Sequence, residues 1–274
     1  MRVAVIQINS SQQRRENLEK ASDLLAQAKD QGAKLAVLPE HFSYLAAMAD
    51  MPRAAEPLRG PTVAFLAERA QKLGLWIIGG SFSRKSNDPT HSYNTCPVLN
   101  PQGELVAHYD KIHRFDLDLP GQAKWEESRY VKAGRRLVTV DTPAGVVGLT
   151  ICYELRFPEL YRRLRLKGAQ VLAAPAAFTQ ATGQDHWELL VRTRALENAC
   201  YLLAAAQVGD HGGGRRSWGQ AMIVGPWGEV LAQCGPGPGV ALAEVNPKGV
   251  AASRRKLDST SHARLLPRAW NRER

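Results

Sequence analysis

The chain reads as an α/β domain built from mixed sheets with helices on their outer faces. Three observations predict this. Short runs rich in Val, Ile and Leu alternate with longer segments of helical period. Three tetrapeptides carry Pro second and Gly fourth: Asn100-Pro-Gln-Gly103, Thr142-Pro-Ala-Gly145 and Gly225-Pro-Trp-Gly228. Each lies between two apolar runs. Pro presets the first corner of a turn and Gly closes it, so they predict three hairpin tips. Finally, no linker, repeat or low-complexity stretch divides the 274 residues. One domain over 1–274 is expected.

The strands are expected at 2–8, 34–39, 75–81, 92–99, 104–109, 137–141, 146–151, 170–174, 201–207, 219–225, 229–233 and 239–245. Helices are expected at 13–31, 61–73, 157–168 and 184–199. In the first, Leu18, Ala21, Leu24, Leu25 and Ala28 recur with helical spacing. Asp185, with Glu188 three residues on, is expected to cap the last. Gly209 to Arg216 (GDHGGGRR) reads as a flexible loop within the domain.

Composition narrows the function. Hydrophobic residues make up 44%, enough for a substantial core and unlike a disordered chain. The N-terminus lacks the pattern of a signal peptide, and no apolar run approaches the roughly 18 residues of a membrane span. A cytoplasmic protein is expected. Net charge is +10, which raises a basic binding module as an alternative. No nucleic-acid signature accompanies it. Much of the excess falls after about residue 251, where Arg254, Arg255, Lys256, Arg264, Arg268, Arg272 and Arg274 outnumber Asp258 and Glu273. This segment is expected as a solvated basic tail.

Cys96, Cys152, Cys200 and Cys234 form no C-x-x-C pair, so zinc-finger and redox motifs are excluded. Cys152 stands apart. An apolar strand runs into it, and Pro158 marks a helix just beyond. Backbone N–H groups point outward at such a junction, where they lower a thiol pKa and hold an oxyanion. A buried structural cysteine is the alternative.

A nucleophilic cysteine needs a proton acceptor. None of the seven histidines sits in a papain-like or caspase-like signature. Glu40 ends the apolar run Leu35-Ala-Val-Leu-Pro39 and is a candidate base. That role requires a pKa above the usual carboxylate value. Lys111 ends another run, in His108-Tyr-Asp-Lys111-Ile-His113, and is a candidate oxyanion donor.

Together these segments resemble the three signatures of the nitrilase superfamily of carbon–nitrogen hydrolases, which place a Glu, a Lys and a Cys at three strand ends in that order. The matching residues are Leu38-Pro39-Glu40, Tyr109-Asp110-Lys111-Ile-His113 and Cys152-Tyr153-Glu154-Leu-Arg156-Phe157-Pro158-Glu159. A second family glutamate matches Glu127, in Trp125-Glu-Glu127-Ser128. The resemblance runs from Val3 to about Leu266. It is nearest the deaminated glutathione amidase branch, beside the ω-amidases. Pro120-Gly121-Gln122, Ala177-Phe178, His186-Trp187-Glu188, Arg194-Ala-Leu-Glu197-Asn198 and Pro226-Trp227-Gly228 carry that likeness. Glu154 departs from it, because near relatives mostly have Asp there.

The resemblance implies a four-layer αββα sandwich that forms a homodimer. It implies an amidase that hydrolyses a small carboxylate-bearing amide, deaminated glutathione foremost, to an acid and ammonia. ω-Amidase, nitrilase and N-carbamoyl hydrolase activities are the alternatives. Glu40, Lys111 and Cys152 would be the triad, with Glu127 orienting Lys111 or the substrate. Lys111 and the Tyr153 N–H would hold the oxyanion. No cofactor or metal is implied. Arg156, Arg192 and Arg194 are candidates for the substrate carboxylate, and His186 and Trp187 for the pocket wall.

Overall fold

The computed structural model describes residues 1–118 and 125–264. The segment around Pro120 and the last ten residues of the basic segment lie outside them. The first half of the chain runs β1 (Arg2–Ile8), α1 (Arg14–Asp30), β2 (Leu35–Val37), α2 (Pro61–Leu73), β3 (Trp76–Ile78), β4 (Phe82–Lys85), β5 (Ser92–Leu99) and β6 (Leu105–Asp110). Two short strands follow, β7 (Asp116–Leu117) and β8 (Trp125–Glu126). The second half runs β9 (Thr139–Thr142), β10 (Gly145–Leu149), α3 (Pro158–Leu166), β11 (Val171–Ala173), α4 (Gln180–Asn198), β12 (Tyr201–Ala204), β13 (Ala206–Asp210) and β14 (Arg216–Trp218). It closes with β15 (Met222–Val224), β16 (Val230–Gln233), β17 (Gly239–Glu244) and α5 (Pro247–Lys256).

The strands form two large mixed sheets. In one, the order is β14-β13-β1-β2-β3-β5-β4, with β17 antiparallel to β1 and β6 beside β5. In the other it is β16-β15-β12-β11-β10-β9. Side-chain alternation sorts the strand residues into layers. Ala4, Ile6 and Ile8 of β1 pack with Ala21, Leu25 and Ala28 of α1 and Leu66 and Ala70 of α2. Val3 and Val5 point the opposite way, into a cluster with Leu149, Leu172, Leu203 and Met222 of the second sheet. α3 and α4 cover that sheet's outer face. The result is the expected αββα sandwich. Each fully buried Leu, Ile or Val in these layers contributes roughly 1.5–3 kcal/mol.

All three Pro-Gly tetrapeptides are hairpin tips, joining β5 to β6, β9 to β10 and β15 to β16. Their closing glycines sit at φ 79°, 107° and 83°, a conformation costly for other residues. Four expectations need correction. The run 201–207 is two strands: β12 belongs to one sheet and β13 to the other, with Ala205 between them. Gly209 to Arg216 contains the tip of the β13–β14 hairpin. Thr179, not Asp185, caps α4, accepting from Thr182 N–H at 3.3 Å; α4 starts earlier than its apolar period suggested. The described part of the basic segment is not wholly solvated, since Arg254 donates to the Ala169 carbonyl at 2.8 Å.

Candidate active site

Glu40 lies just past β2, and Gly80, just past β3, lets the neighbouring chain pack closely against the backbone before it. A Cβ on Gly80 would come within 2.1 Å of the Pro39 carbonyl oxygen. Lys111 follows β6 directly. Its carbonyl accepts from Gly134 N–H at 2.8 Å, and a side chain on Gly134 would strike the Asp110 carbonyl. Glu127 opens a short 3-10 turn after β8. Cys152 begins another, just past β10, at φ 52°. A non-glycine residue in this left-handed region is strained, and such strain clusters at functional sites. The turn ends at Arg156, and α3 begins at Pro158, so Arg156 precedes the helix.

These four residues converge, each buried. Lys111 Nζ donates to Glu40 Oε1 at 3.1 Å and to Glu127 Oε2 at 2.8 Å. The Cys152 thiol lies within electrostatic reach of both Glu40 and Lys111. Asn94 of β5 gives its amide to Glu40 Oε1 at 2.9 Å, and its carbonyl accepts Lys111 N–H at 2.9 Å. The Phe115 N–H reaches Glu127 Oε2 at 2.5 Å. Among the described residues no set of three or more His, Cys, Asp and Glu is disposed to hold a metal ion.

Burial pushes the Glu40 carboxyl up, but Lys111 and then His41 outweigh it and hold it at about 2. This reverses the expected rise. Burial pushes the Cys152 thiol well above its ordinary value, and Glu40 adds to the shift. The Ala177 N–H, 3.5 Å from Sγ, opposes it only weakly. The backbone donors therefore do not make a resting thiolate. At neutral pH the pair is a carboxylate beside a thiol. Burial lowers Lys111, but Glu127 and Glu40 override it and keep the ammonium charged.

Glu154, fully buried, ties the Cys152 turn to the Lys111 strand end. Its Oε2 accepts from Ile151 N–H at 2.7 Å; its Oε1 accepts from the Tyr109 hydroxyl at 2.7 Å and Ile112 N–H at 2.9 Å. The backbone N–H of Tyr153 has no acceptor among the described residues.

The cavity beside Cys152 is lined by Phe115, Tyr153, Arg156, Ala177, Phe178, Thr179 and Thr182. Arg156 has no carboxylate partner among the described residues; its Nη2 lies 3.3 Å from His186 Nδ1. The other suggested binding residues stand elsewhere. Trp187 is buried behind the cavity, edge-on to Phe178, with its indole N–H on the Gln220 carbonyl. Arg194 is buried and donates to the Leu155 carbonyl at 2.8 Å. Arg192 is taken up by the Gly228 carbonyl and Glu188 on the outer face of α4. Spacing on one helix could not separate these faces from the cavity. Asn94, Phe115, Phe178 and Arg215 were missed. For Asn94, a polar side chain inside an apolar strand was a usable signal.

The model of the carbon–nitrogen hydrolase family matches residues 2–255. This chain belongs to that family. The hydrolase is 41% identical over 267 residues to deaminated glutathione amidase of Mus musculus, covering 96% of this chain and 83% of the mouse protein. It is 40% identical to the Synechocystis protein of the same name, covering 94% and 96%. It is 37% identical to ω-amidase NIT2 of Danio rerio, covering 96% and 94%. Among solved structures, Saccharomyces cerevisiae Nit3, a member of the nitrilase superfamily, superposes with a TM-score of 0.85 at 28% identity, covering 98% and 96%. The Caenorhabditis elegans NitFhit protein gives 0.87 at 36% identity, and the hydrolase covers 96% of itself but 65% of that longer chain. The hydrolase is thus an enzyme acting on amides, and no helix among its described residues is long and apolar enough to cross a membrane.

Proposed function

We propose that this hydrolase cleaves a carboxylate-bearing amide through a thioester on Cys152, with deaminated glutathione as the leading substrate. The observation that carries the reading is the gathering of a buried carboxylate, a buried ammonium hydrogen-bonded to it and a strained, buried cysteine in one electrostatically coupled cluster. Glu40 takes the thiol proton as Sγ attacks the carbonyl carbon. The carbonyl π electrons move to oxygen, and Lys111 Nζ and the Tyr153 N–H stabilise the oxyanion. Collapse breaks the C–N bond, and Glu40 returns the proton to the departing nitrogen. That nitrogen leaves as ammonia from a primary amide, or as an amine from a secondary one. Glu40 then deprotonates water, which attacks the thioester. Collapse of the second intermediate releases the acid and restores the thiol.

Arg156 receives the substrate carboxylate in this reading. It faces the cavity and has no carboxylate partner among the described residues, and a desolvated pairing there would be charge-assisted. Trapping tests the scheme. Wild-type enzyme quenched in acid during turnover should carry an acyl group on Cys152, seen by intact mass and absent in Cys152→Ala. No adduct in any amide tried would overturn it.

Two finer features belong to the same proposal. Leu189, Leu196 and Trp227 are 67%, 50% and 51% exposed around one groove on α4, which supports a homodimer through this face. Sedimentation of Leu189→Asp should show monomer. Four free cysteines suit a reducing cytoplasm.

A further inference from the structure

Two arginines lie at opposite ends of a row of aromatic rings beside Cys152. At one end, the Arg156 guanidinium lies 6.0 Å from the Tyr153 ring centroid and 5.5 Å from that of Phe178. The Tyr153 ring contacts Phe115 at 5.1 Å, and Phe115 contacts Trp125 at 5.6 Å. At the far end, the Arg215 guanidinium sits over Trp125 at 4.9 Å. Phe115, Tyr153 and Arg156 line the cavity with Cys152, and Trp125 and Arg215 continue the row beyond its edge.

Arg215 comes from the tip of the β13–β14 hairpin. Its carbonyl accepts the His211 N–H, and its own N–H bonds Gly212, which closes a tight turn. Gly212, Gly213 and Gly214 all have positive φ, and a Cβ on any of them would meet nothing. The turn therefore demands glycine for its backbone shape, and it delivers one long cation over Trp125. Arg215 Nη1 donates to the Ala46 carbonyl. It is half-buried and has no carboxylate partner within hydrogen-bonding distance among the described residues. Burial lowers its pKa, and Glu40, Glu127 and Cys152 pull it back up.

A sheltered guanidinium with donors to spare, stacked on tryptophan, is poised to take a planar anion in bidentate fashion. We propose that Arg215 is a specificity-determining residue that binds a second carboxylate of the substrate. Arg156 holds the carboxylate on one side of the scissile amide, and Arg215 holds the one on the other. The preferred substrate class is then an amide with an acidic group on both its acyl and its amine portions. Deaminated glutathione, with a carboxylate at each end of its chain, belongs to this class. The inference rests on the thioester reading above and adds the second anchor.

The test uses purified enzyme and three amides of one series. One carries a carboxylate on each side of the amide, one carries it on the acyl side alone, and one is neutral. Arg215→Gln keeps a donor for the Ala46 carbonyl and removes the charge; Arg215→Met removes both. Both variants should lose about 10- to 100-fold in kcat/KM on the doubly charged amide, mainly through KM, at least tenfold more than on the other two. Arg215→Lys should recover part of the loss. Arg156→Met should penalise both charged amides. An equal loss on all three amides in both Arg215 variants, or no loss, overturns the second anchor while leaving the thioester chemistry standing. Wild-type enzyme that turns over none of the three overturns the chemistry, and the anchor with it.

Discussion

The Tyr109 hydroxyl donates to Glu154 Oε1 at 2.7 Å and so joins the strand that delivers Lys111 to the turn that holds Cys152. Both partners are fully buried. Lys111 and Cys152, which follow strands of different sheets, are thereby tied together through a buried hydrogen bond between their near neighbours.

Tyr109→Phe should cost about 1–3 kcal/mol of stability, because it removes one donor to a buried carboxylate. Lys111 and Cys152 would also lose alignment. We expect kcat to fall about tenfold with KM little changed. Denaturant unfolding and steady-state kinetics check the two parts. Unchanged kcat would show that the remaining Glu154 bonds suffice.

Cys152→Ala should reduce turnover at least 1000-fold while the fold persists, since the substitution removes one sulfur at a turn. Cys96, Cys200 and Cys234 are buried away from the cluster and should each be replaceable by Ala with activity within a few-fold. Comparing ammonia or amine release across the four variants decides it. Activity in Cys152→Ala within tenfold of wild type would remove the nucleophile.

Acid should destabilise the protein in two windows. The unfolded chain protonates Glu40 near 4.5, whereas the folded chain resists to about 2. Its contribution is full above 4.5 and is lost as pH falls toward 2, an effect on the order of 3 kcal/mol. His41 is held down to about 4 by burial from an ordinary 6.5, so the unfolded state takes up that proton first and stability falls between those values. Urea unfolding across pH should show a shallower acid limb for Glu40→Gln below 4.5. Parallel curves there would contradict the buried ion pair. Glu40→Gln should also lose most activity, because an amide cannot accept the thiol proton.

Arg192 and Arg194, two residues apart on α4, should behave oppositely. Arg194→Ala leaves the Leu155 carbonyl without its donor behind the Cys152 turn and should cost about 2–3 kcal/mol. Arg192→Ala removes exposed contacts and should stay within about 0.5 kcal/mol. Urea midpoints measure both. A strong effect of Arg192→Ala on substrate KM would bring that residue back as a carboxylate ligand.

Gly80→Ala should disturb catalysis from outside the cleft. Its Cβ would meet the Pro39 carbonyl, and φ is 57°, so the chain before Glu40 must shift. A displacement of about 1 Å at a general base costs on the order of 100-fold in rate. Steady-state kinetics would show it, and a fully active variant would mean that Glu40 tolerates movement.

The sequence alone determined the layers and the family, and it singled out the residues proposed as the triad. Hairpin tips were legible because a Pro-x-Gly turn is a local conformational constraint. Glu40, Lys111 and Cys152 were legible because each charged or reactive residue ends an apolar strand within a recognisable short motif. Tertiary structure decided the rest. Arg156 and Arg194 both follow Cys152 in the chain and looked equivalent, yet one faces the cavity and the other anchors a carbonyl behind it. Arg215 lay in a glycine-rich loop without a motif, and only the pairing of β13 with β1 carries that loop over Trp125. The depressed Glu40 pKa likewise depends on Lys111, 71 residues away in sequence. Local sequence sets backbone turns and side-chain types, whereas distance and burial, which govern electrostatic strength, exist only once the sheets have packed.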